Sequence, residues 1–219
     1  MTAGDDLGCQ LYLITPEVID LPQFLVQLAE ALAGGPVAAL QLRRKAADDA
    51  QMIAWSEAIR PLCHDAGCSL IINDRADLVM PCKADGVHLG QEDSDVAQAR
   101  ALLGPDLQIG VTCHNSRHLA MVAGEEGADY VAFGAFYPSN TKKTNHKADL
   151  NILTWWSSIS SLPCVAIGGI SPKNADPVIA AGADYLAIST GVFSWPDGPK
   201  AAVRDLYDIT ASHREQKKG

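Results

Sequence analysis

Short apolar runs recur along the chain and alternate with longer amphipathic stretches. The runs are rich in β-branched residues, as buried strands are. They lie at 11–15, 37–42, 69–72, 86–89, 108–113, 130–134, 164–167 and 185–189. Between them, apolar residues are spaced as on one face of a helix, for example at Leu21, Leu25, Leu28 and Leu32. The pattern predicts eight strands that alternate with helices.

The apolar runs are almost uniformly hydrophobic and lack the alternation of a strand with one wet face. Strands of this kind lie in a parallel sheet that is covered on both sides. Eight such units in a chain of 219 residues favour a closed barrel over an open sheet. The expected fold is therefore α/β, a single (β/α)8 TIM barrel with a parallel eight-stranded core.

A four-residue repeat supports this architecture. The sequence Gly-Ala-Asp-Tyr occurs at 127–130 and again at 182–185, each time between a predicted helix and a predicted strand. Glycine permits the left-handed turn that ends a helix, and aspartate can cap the connection that follows. Asp129 and Asp184 are therefore expected to have structural rather than catalytic roles.

Composition narrows the class of protein. Hydrophobic residues make up 47% of the chain, and no linker divides it, so we expect one domain over 1–219 with a frayed tail at 212–219. The formal net charge of -9 argues against a nucleic-acid or anionic-membrane partner. Without a recognisable targeting or membrane-spanning segment, the expected location is cytoplasmic. The six cysteines are expected to be buried, reduced thiols.

Two aspartates follow neighbouring predicted strands. Asp74 comes directly after the third strand, and Asp93 lies in the loop after the fourth. In a parallel barrel these strand ends meet at one face, where ligand sites form. A pair of carboxylates there suggests a Mg²⁺ site, because this ion often takes one or two carboxylates together with phosphate oxygens. The alternative for each aspartate alone is a helix cap.

Cationic and hydroxyl side chains follow other strands. Arg43 and Lys45 suit a polyphosphate, and so does Lys142, although lysine in a loop is often only a solvated charge. Gly168 and Gly169 allow backbone N–H groups to approach an anion closely. Together these groups indicate a site for phosphates with Mg²⁺. His88 and His114 are expected to pack or to orient neighbours, although acid–base work stays possible.

The motifs at these strand ends, taken in order, resemble those of the thiamine-phosphate synthase (thiamine-phosphate pyrophosphorylase) family. The resemblance covers nearly the whole chain, and the matching segments are 41–45, 73–77, 85–93, 110–114, 138–143 and 166–170. It implies a transferase of thiamine biosynthesis. The two substrates would be 4-amino-2-methyl-5-hydroxymethylpyrimidine diphosphate and 4-methyl-5-(2-hydroxyethyl)thiazole phosphate, and the products thiamine phosphate and diphosphate.

The resemblance also implies roles for individual residues. Mg²⁺ would be held by Asp74 and Asp93. The pyrimidine diphosphate would be contacted by Gln41, Arg43, Lys45, Asn73 and Lys142, with Thr112 near the pyrimidine ring. The thiazole phosphate would be contacted by Ser139, Thr141, Gly169, Ser189 and Thr190. The residues expected to act in catalysis are Arg43, Lys45, Thr112 and Lys142, in a dissociative reaction in which diphosphate leaves first, aided by closure of the 138–149 loop.

The chain departs from the family pattern at a few positions. Arg44 stands where glutamate is usual, Thr112 replaces serine, and the 138–149 loop differs. Two alternatives therefore stay open: a thiazole tautomerase of the same fold, which would depend on His114, and a non-catalytic barrel that binds thiamine intermediates. The expected partners are small-molecule substrates, and a homo-oligomer is possible.

Overall fold

The computed structural model describes residues 8–138 and 147–216, and these form a closed barrel of eight parallel strands in sequence order, with β8 pairing with β1. The strands are β1 Gln10–Ile14, β2 Ala39–Leu42, β3 Ser69–Asn73, β4 Gly86–Leu89, β5 Gln108–His114, β6 Tyr130–Gly134, β7 Cys164–Ile167 and β8 Tyr185–Ile188. The predicted (β/α)8 barrel is confirmed. The predicted strand bounds differ from these by two residues or fewer.

Helices cover the outside of the barrel. In the described residues they are α1 Leu21–Leu32, α2 Asp49–Asp65, α3 Val79–Cys82, α4 Val96–Leu103, α5 Arg117–Glu125, α6 Asn151–Ile159, α7 Asp176–Ala180, α8 Thr190–Phe193 and α9 Pro199–Gln216, with a 3-10 helix at Ala76–Leu78. Local sequence sets where several begin. Asp48 and Gln51 form a capping box at α2, and the Ser116 side chain caps α5.

The strands are apolar on both faces because each face packs against a different core. Along β1, Leu11 and Leu13 join the large cluster between strands and helices, whereas Tyr12 and Ile14 join a smaller cluster inside the barrel. Successive side chains of a strand point to opposite faces, so both faces must be apolar here. The inner cluster also contains Tyr130, and this ring brings polar atoms into the barrel interior.

Aspartates brace the amino-terminal end of the barrel, away from the ligand face. The Asp129 carboxylate accepts hydrogen bonds from Ile109 N (2.7 Å) and from the Arg100 guanidinium (2.6 Å). The Asp184 carboxylate accepts from Cys164 N (2.8 Å). Each therefore fastens the strand it precedes to the neighbouring strand, and the structural role expected from the Gly-Ala-Asp-Tyr repeat agrees with these contacts.

The predicted tail overlaps the last helix. Helix α9 continues to Gln216, so 212–216 are helical, and 217–219 lie outside the described residues. Fraying of 212–219 stays a prediction. His213 Nε2 lies 2.8 Å from the Asp176 carboxylate, which ties this end of α9 to α7. All six cysteines fall in the described ranges and are buried free thiols, as predicted. Among those ranges, no helix is long and apolar enough to cross a membrane.

Candidate functional site

A cavity of about 490 Å³ opens at the carboxyl ends of the strands. Its lining includes every predicted site residue that the structure describes: Gln41, Arg43, Lys45, Asn73, Asp74, Asp93, Thr112, Gly169, Ser189 and Thr190. The other predicted residues, Ser139, Thr141 and Lys142, lie outside the described residues. The barrel therefore brings together side chains that are far apart in the sequence, as parallel strand ends do.

The two aspartates meet at one side of this cavity. Asp74 has a φ of 65° and donates its N–H to His88 O (2.8 Å), which turns the chain sharply at the end of β3. The Asp93 carboxylate accepts a hydrogen bond from Gly90 N (2.7 Å), which fixes the side chain. Partial burial raises the pKa of Asp93, the Gly90 N–H opposes this shift, and contact with the Asp74 carboxylate adds to the rise. The pair is thus a site of concentrated negative charge.

This pair fits a divalent cation. Two contacting carboxylates repel each other, and a bound hard cation would relieve that repulsion. Within 8–138 and 147–216, no group of three or more His, Cys, Asp or Glu side chains could hold a metal. Mg²⁺ does not require one, since it commonly takes one or two carboxylates with water and substrate phosphate oxygens as the remaining ligands.

Cations border the acidic pair. Lys45 Nζ lies 3.4 Å from Asp74 Oδ2, with half of its side chain exposed. The Arg43 guanidinium is largely buried and is paired with the Glu17 carboxylate in the loop after β1. Thr15 Oγ1 accepts from Arg43 N (2.9 Å) and donates to Arg43 O (3.1 Å), which fixes the backbone at this position. Both cations are therefore positioned to meet an anionic ligand beside the acidic pair.

Glu17 is the ion-pair partner of the site residue Arg43, and sequence reasoning missed it. It follows the first strand, which was the available signal, but no motif marked it. Arg44 lies beside it and points away from the cavity: its guanidinium donates to Glu17 O (3.1 Å) and stacks 4.6 Å from the centre of the Trp55 ring. The change from the usual glutamate to Arg44 therefore does not place a new charge among the cavity-lining groups.

A chain of hydrogen bonds runs along the floor of the cavity, where Gln41, His88 and Thr112 line it. Gln41 Nε2 donates to Tyr12 Oη (3.0 Å), the Tyr12 and Tyr130 hydroxyls are 2.9 Å apart, and Tyr130 Oη is 3.1 Å from His88 Nδ1. His88 Nε2 is in turn 2.8 Å from Thr112 Oγ1. The network links two predicted ligand contacts, Gln41 and Thr112, through three buried rings.

Burial keeps these rings uncharged. It lowers the pKa of His88 from 6.5 to about 4, so the imidazole is neutral near pH 7. It raises the pKa of Tyr12 to about 12, and it raises the pKa of Tyr130 as well. A neutral imidazole has one N–H and one acceptor nitrogen. The predicted orienting role of His88 agrees with these contacts, because the ring holds the Thr112 hydroxyl from below.

The side of the cavity opposite Asp74 and Asp93 is formed by the backbone of Gly168 and Gly169, which we call the glycine wall. Gly168 and Gly169 have φ values of 105° and 63°, and a Cβ at Gly169 would lie 2.4 Å from Pro138 O. Only glycine fits there, because both the conformation and the space exclude a side chain. Beside it, Ser189 Oγ is buried and finds no hydrogen-bond partner in the described part of the chain. The residue itself lines the cavity.

Apolar residues complete the cavity. They come from the last residues of strands or from the residues just beyond them, and they are Ile14, Ala135, Ile167, Ile170, Ala187 and Ile188. Sequence reasoning did not assign them to the site, because an apolar residue at a strand end looks the same whether it faces the core or a ligand. Their position gives the cavity a surface for flat, apolar rings between its polar ends.

The fold and the site define a barrel enzyme that acts on phosphorylated small molecules. The chain matches the family model described as thiamine monophosphate synthase over residues 11–192. The chain belongs to this family, and the resemblance predicted from the strand-end motifs is confirmed.

Relatives and solved structures agree with this assignment. A thiamine-phosphate synthase of Rhodospirillum centenum is 53% identical over 198 residues, which are 90% of this chain and 96% of the relative. One from Hyphomonas neptunium is 54% identical over 200 residues, covering 89% of this chain and 90% of the relative. The solved thiamine phosphate pyrophosphorylase of Pyrococcus furiosus superposes with a TM-score of 0.81 at 30% identity and covers 93% of this chain and 96% of its own.

Proposed function

We propose that the chain is a thiamine-phosphate synthase that joins 4-amino-2-methyl-5-hydroxymethylpyrimidine diphosphate to 4-methyl-5-(2-hydroxyethyl)thiazole phosphate. The observation that carries the proposal is the division of one cavity into two polar ends. The acidic pair with Arg43 and Lys45 forms one end, and the glycine wall with Ser189 forms the other. Two phosphorylated substrates that react with each other need two separate anion sites with room for rings between them.

The diphosphate end uses the acidic pair. Asp74 and Asp93 would hold Mg²⁺, which supplies charge neutralisation to the departing diphosphate. Arg43 and Lys45 bind the same group, since a guanidinium fork and a mobile ammonium both suit phosphate oxygens. Arg43 would exchange its Glu17 partner for substrate, and Lys45 would exchange Asp74. Lys142 has the same proposed role and lies outside the described residues.

The pyrimidine ring would lie above the neutral network. Gln41, Asn73 and Thr112 line this part of the cavity and offer amide and hydroxyl groups to the ring. His88 stays neutral near pH 7, so no cationic imidazole opposes positive charge that develops on the pyrimidine. This environment favours a dissociative reaction, because positive charge on the ring meets oriented dipoles rather than a fixed cation.

The bond changes follow from that arrangement. The bond between the methylene carbon and the diphosphate oxygen breaks, and its electron pair leaves with the diphosphate. The lone pair of the thiazole nitrogen then forms the new carbon–nitrogen bond to the same methylene carbon. No protein nucleophile is required. The cavity must exclude water from the cation, and closure of the 138–149 loop, which lies largely outside the described residues, is proposed for this purpose.

The thiazole phosphate would bind at the glycine wall. Gly169, Ser189 and Thr190 line this end of the cavity. Ser139 and Thr141 are proposed for the same phosphate. The cytoplasmic location and the possible homo-oligomer stay predictions.

The proposal is tested by incubating the purified protein with both substrates and Mg²⁺. We expect diphosphate and thiamine phosphate to form in equal amounts. A matched reaction without the pyrimidine substrate detects any isomerisation of the thiazole phosphate alone. Isomerisation without coupling would favour the tautomerase, and binding without either reaction would favour the non-catalytic barrel.

A further inference from the structure

One side chain organises the loop between β7 and α7. Asn174 Nδ2 donates to Gly169 O (2.9 Å), and Asn174 Oδ1 accepts from Ser171 N (2.8 Å). The backbone closes the same turn, since Asn174 N donates to Ser171 O (3.1 Å). Asn174 itself is not among the residues that line the cavity. Its amide thus shapes the loop from behind.

These contacts set the direction of two peptide units. Gly169 O is held by Asn174, and Gly168 O accepts from Tyr137 N (3.0 Å). A trans peptide places its N–H opposite its carbonyl oxygen. The N–H groups of Gly169 and Ile170 are therefore turned away from Tyr137 and Asn174. Gly169 and Ile170 line the cavity and their two partners do not, so we infer that these N–H groups are directed toward the cavity.

A second contact anchors Asn174 to the preceding barrel loop. Tyr137 Oη donates to Asn174 O (2.9 Å), so the start of the loop after β6 is joined to the loop before α7. The close approach of Gly169 to Tyr137 and Pro138 adds to this packing. The glycine wall is therefore held on two sides, by an amide behind it and by an aromatic side chain beside it.

We propose that Asn174 is a positioning residue for the thiazole phosphate. By fixing Gly169 O and Ser171 N, it keeps the N–H groups of Gly169 and Ile170 directed at the phosphate, and it contacts neither substrate. The inference rests on the proposed function, because it assigns the glycine wall to the thiazole phosphate rather than to the diphosphate. It predicts that loss of Asn174 weakens one substrate and spares the other.

The test is the steady-state kinetics of Asn174→Ala with each substrate varied in turn. We expect KM for the thiazole phosphate to rise roughly tenfold, because two charge-assisted hydrogen bonds lose their alignment. KM for the pyrimidine diphosphate should stay within about twofold, since its proposed contacts lie across the cavity. Asn174→Asp should behave like the alanine variant, because a carboxylate cannot donate to Gly169 O.

Two control variants separate positioning from general damage. Ser171→Ala removes a hydroxyl that lies 3.4 Å from Asn174 Oδ1 but keeps the Ser171 N–H contact, so both KM values should stay within about twofold. Asp184→Asn weakens a strand contact at the opposite end of the barrel. It should lower thermal stability without a selective change in either KM. An equal rise of both KM values in Asn174→Ala, or no rise in either, would overturn the proposal.

Failure of the proposed function would be recognised separately. If the wild-type protein couples no substrates, calorimetric binding of the thiazole phosphate to wild-type protein and to Asn174→Ala still tests the inference, with roughly tenfold weaker binding expected in the variant. Equal binding would overturn it. Should Asn174→Ala fail to fold, Tyr137→Phe removes only the hydroxyl that holds Asn174 O. It should raise the same KM about threefold, and an unchanged KM would count against the role of this anchor and of Asn174.

Discussion

His88 Nε2 lies 2.8 Å from Thr112 Oγ1, and both residues line the cavity. The other ring nitrogen of His88 lies 3.1 Å from the Tyr130 hydroxyl, so both nitrogens have partners. Burial disfavours the charged form of this ring and lowers its pKa to about 4. His88 is therefore an orienting group for Thr112 rather than an acid–base group near pH 7.

The buried imidazole predicts a specific pH dependence of stability. The unfolded chain protonates His88 near 6.5, whereas burial lowers the pKa in the folded chain to about 4. Between these values the unfolded state binds more protons, so the free energy of unfolding falls as the pH drops from about 6.5 to about 4. His88 should account for a loss of about 3 kcal/mol over that window. Urea unfolding of wild-type protein and His88→Gln at both ends of the window measures the difference, and equal losses in the two proteins would contradict it.

The repulsion between Asp74 and Asp93 predicts that Asp93→Asn stabilises the metal-free protein. Asp93→Asn keeps an oxygen for Gly90 N but removes the repulsion from Asp74. We expect the metal-free variant to gain about 0.5 kcal/mol, the scale of interactions between exposed charges. Thermal unfolding in chelator measures this gain. Asp149→Asn is the matched control, since Asp149 accepts from Asn151 N outside the cavity; a similar gain there would show that net charge, not the pair, is responsible.

Arg44 should matter for stability and little for catalysis. Its guanidinium stacks on Trp55 and donates to Glu17 O, and it does not line the cavity. Arg44→Gln should lower the free energy of unfolding by about 1 kcal/mol through loss of the cation–π contact. Turnover with saturating substrates should stay within about twofold. Chemical denaturation and steady-state assays check both statements, and a large fall in kcat would place Arg44 in the site after all.

The glycine wall can be tested against a matched glycine. Gly169 and Gly67 have similar positive φ values of 63° and 69°, but a Cβ at Gly67 would meet nothing within 4 Å. Gly67→Ala should therefore cost about 1 kcal/mol, from backbone strain alone. Gly169→Ala should cost about 2 to 4 kcal/mol, because its Cβ also meets Pro138 O. Denaturant unfolding of both variants measures the loss in free energy of unfolding. Equal losses would mean that the backbone near Gly169 moves aside for a Cβ at little cost.

Much of the fold could be predicted because the barrel repeats one simple pattern. Each strand is an apolar run, and Asp74 and Asp93 follow adjacent strands, so their approach follows from topology alone. The inner network could not be predicted. Tyr12 and Tyr130 are separated by 118 positions, and since both faces of each strand are apolar, hydrophobic pattern does not tell which residues point inward.

Side-chain pairs between loops could likewise not be predicted from the sequence. Glu17 pairs with Arg43 because two loop conformations bring them together, and neither residue signals this locally. The end of α9 reads as a polar tail. It remains helical to Gln216, with a contact between His213 and Asp176 that joins distant segments. Such contacts form only when the whole barrel has folded, and no periodic pattern in the sequence indicates them.

We propose that Asp74 and Asp93 hold the Mg²⁺ on which release of diphosphate depends. The most direct measurement is the rate of thiamine phosphate formation over a Mg²⁺ titration, from excess chelator to saturation, for wild-type protein and Asp93→Asn. We expect metal-dependent turnover in the wild type and a rate about 10²-fold to 10³-fold lower in the variant. Wild-type turnover that persists in chelator, or a variant with the wild-type response to Mg²⁺, would contradict the assignment of Mg²⁺ to Asp74 and Asp93.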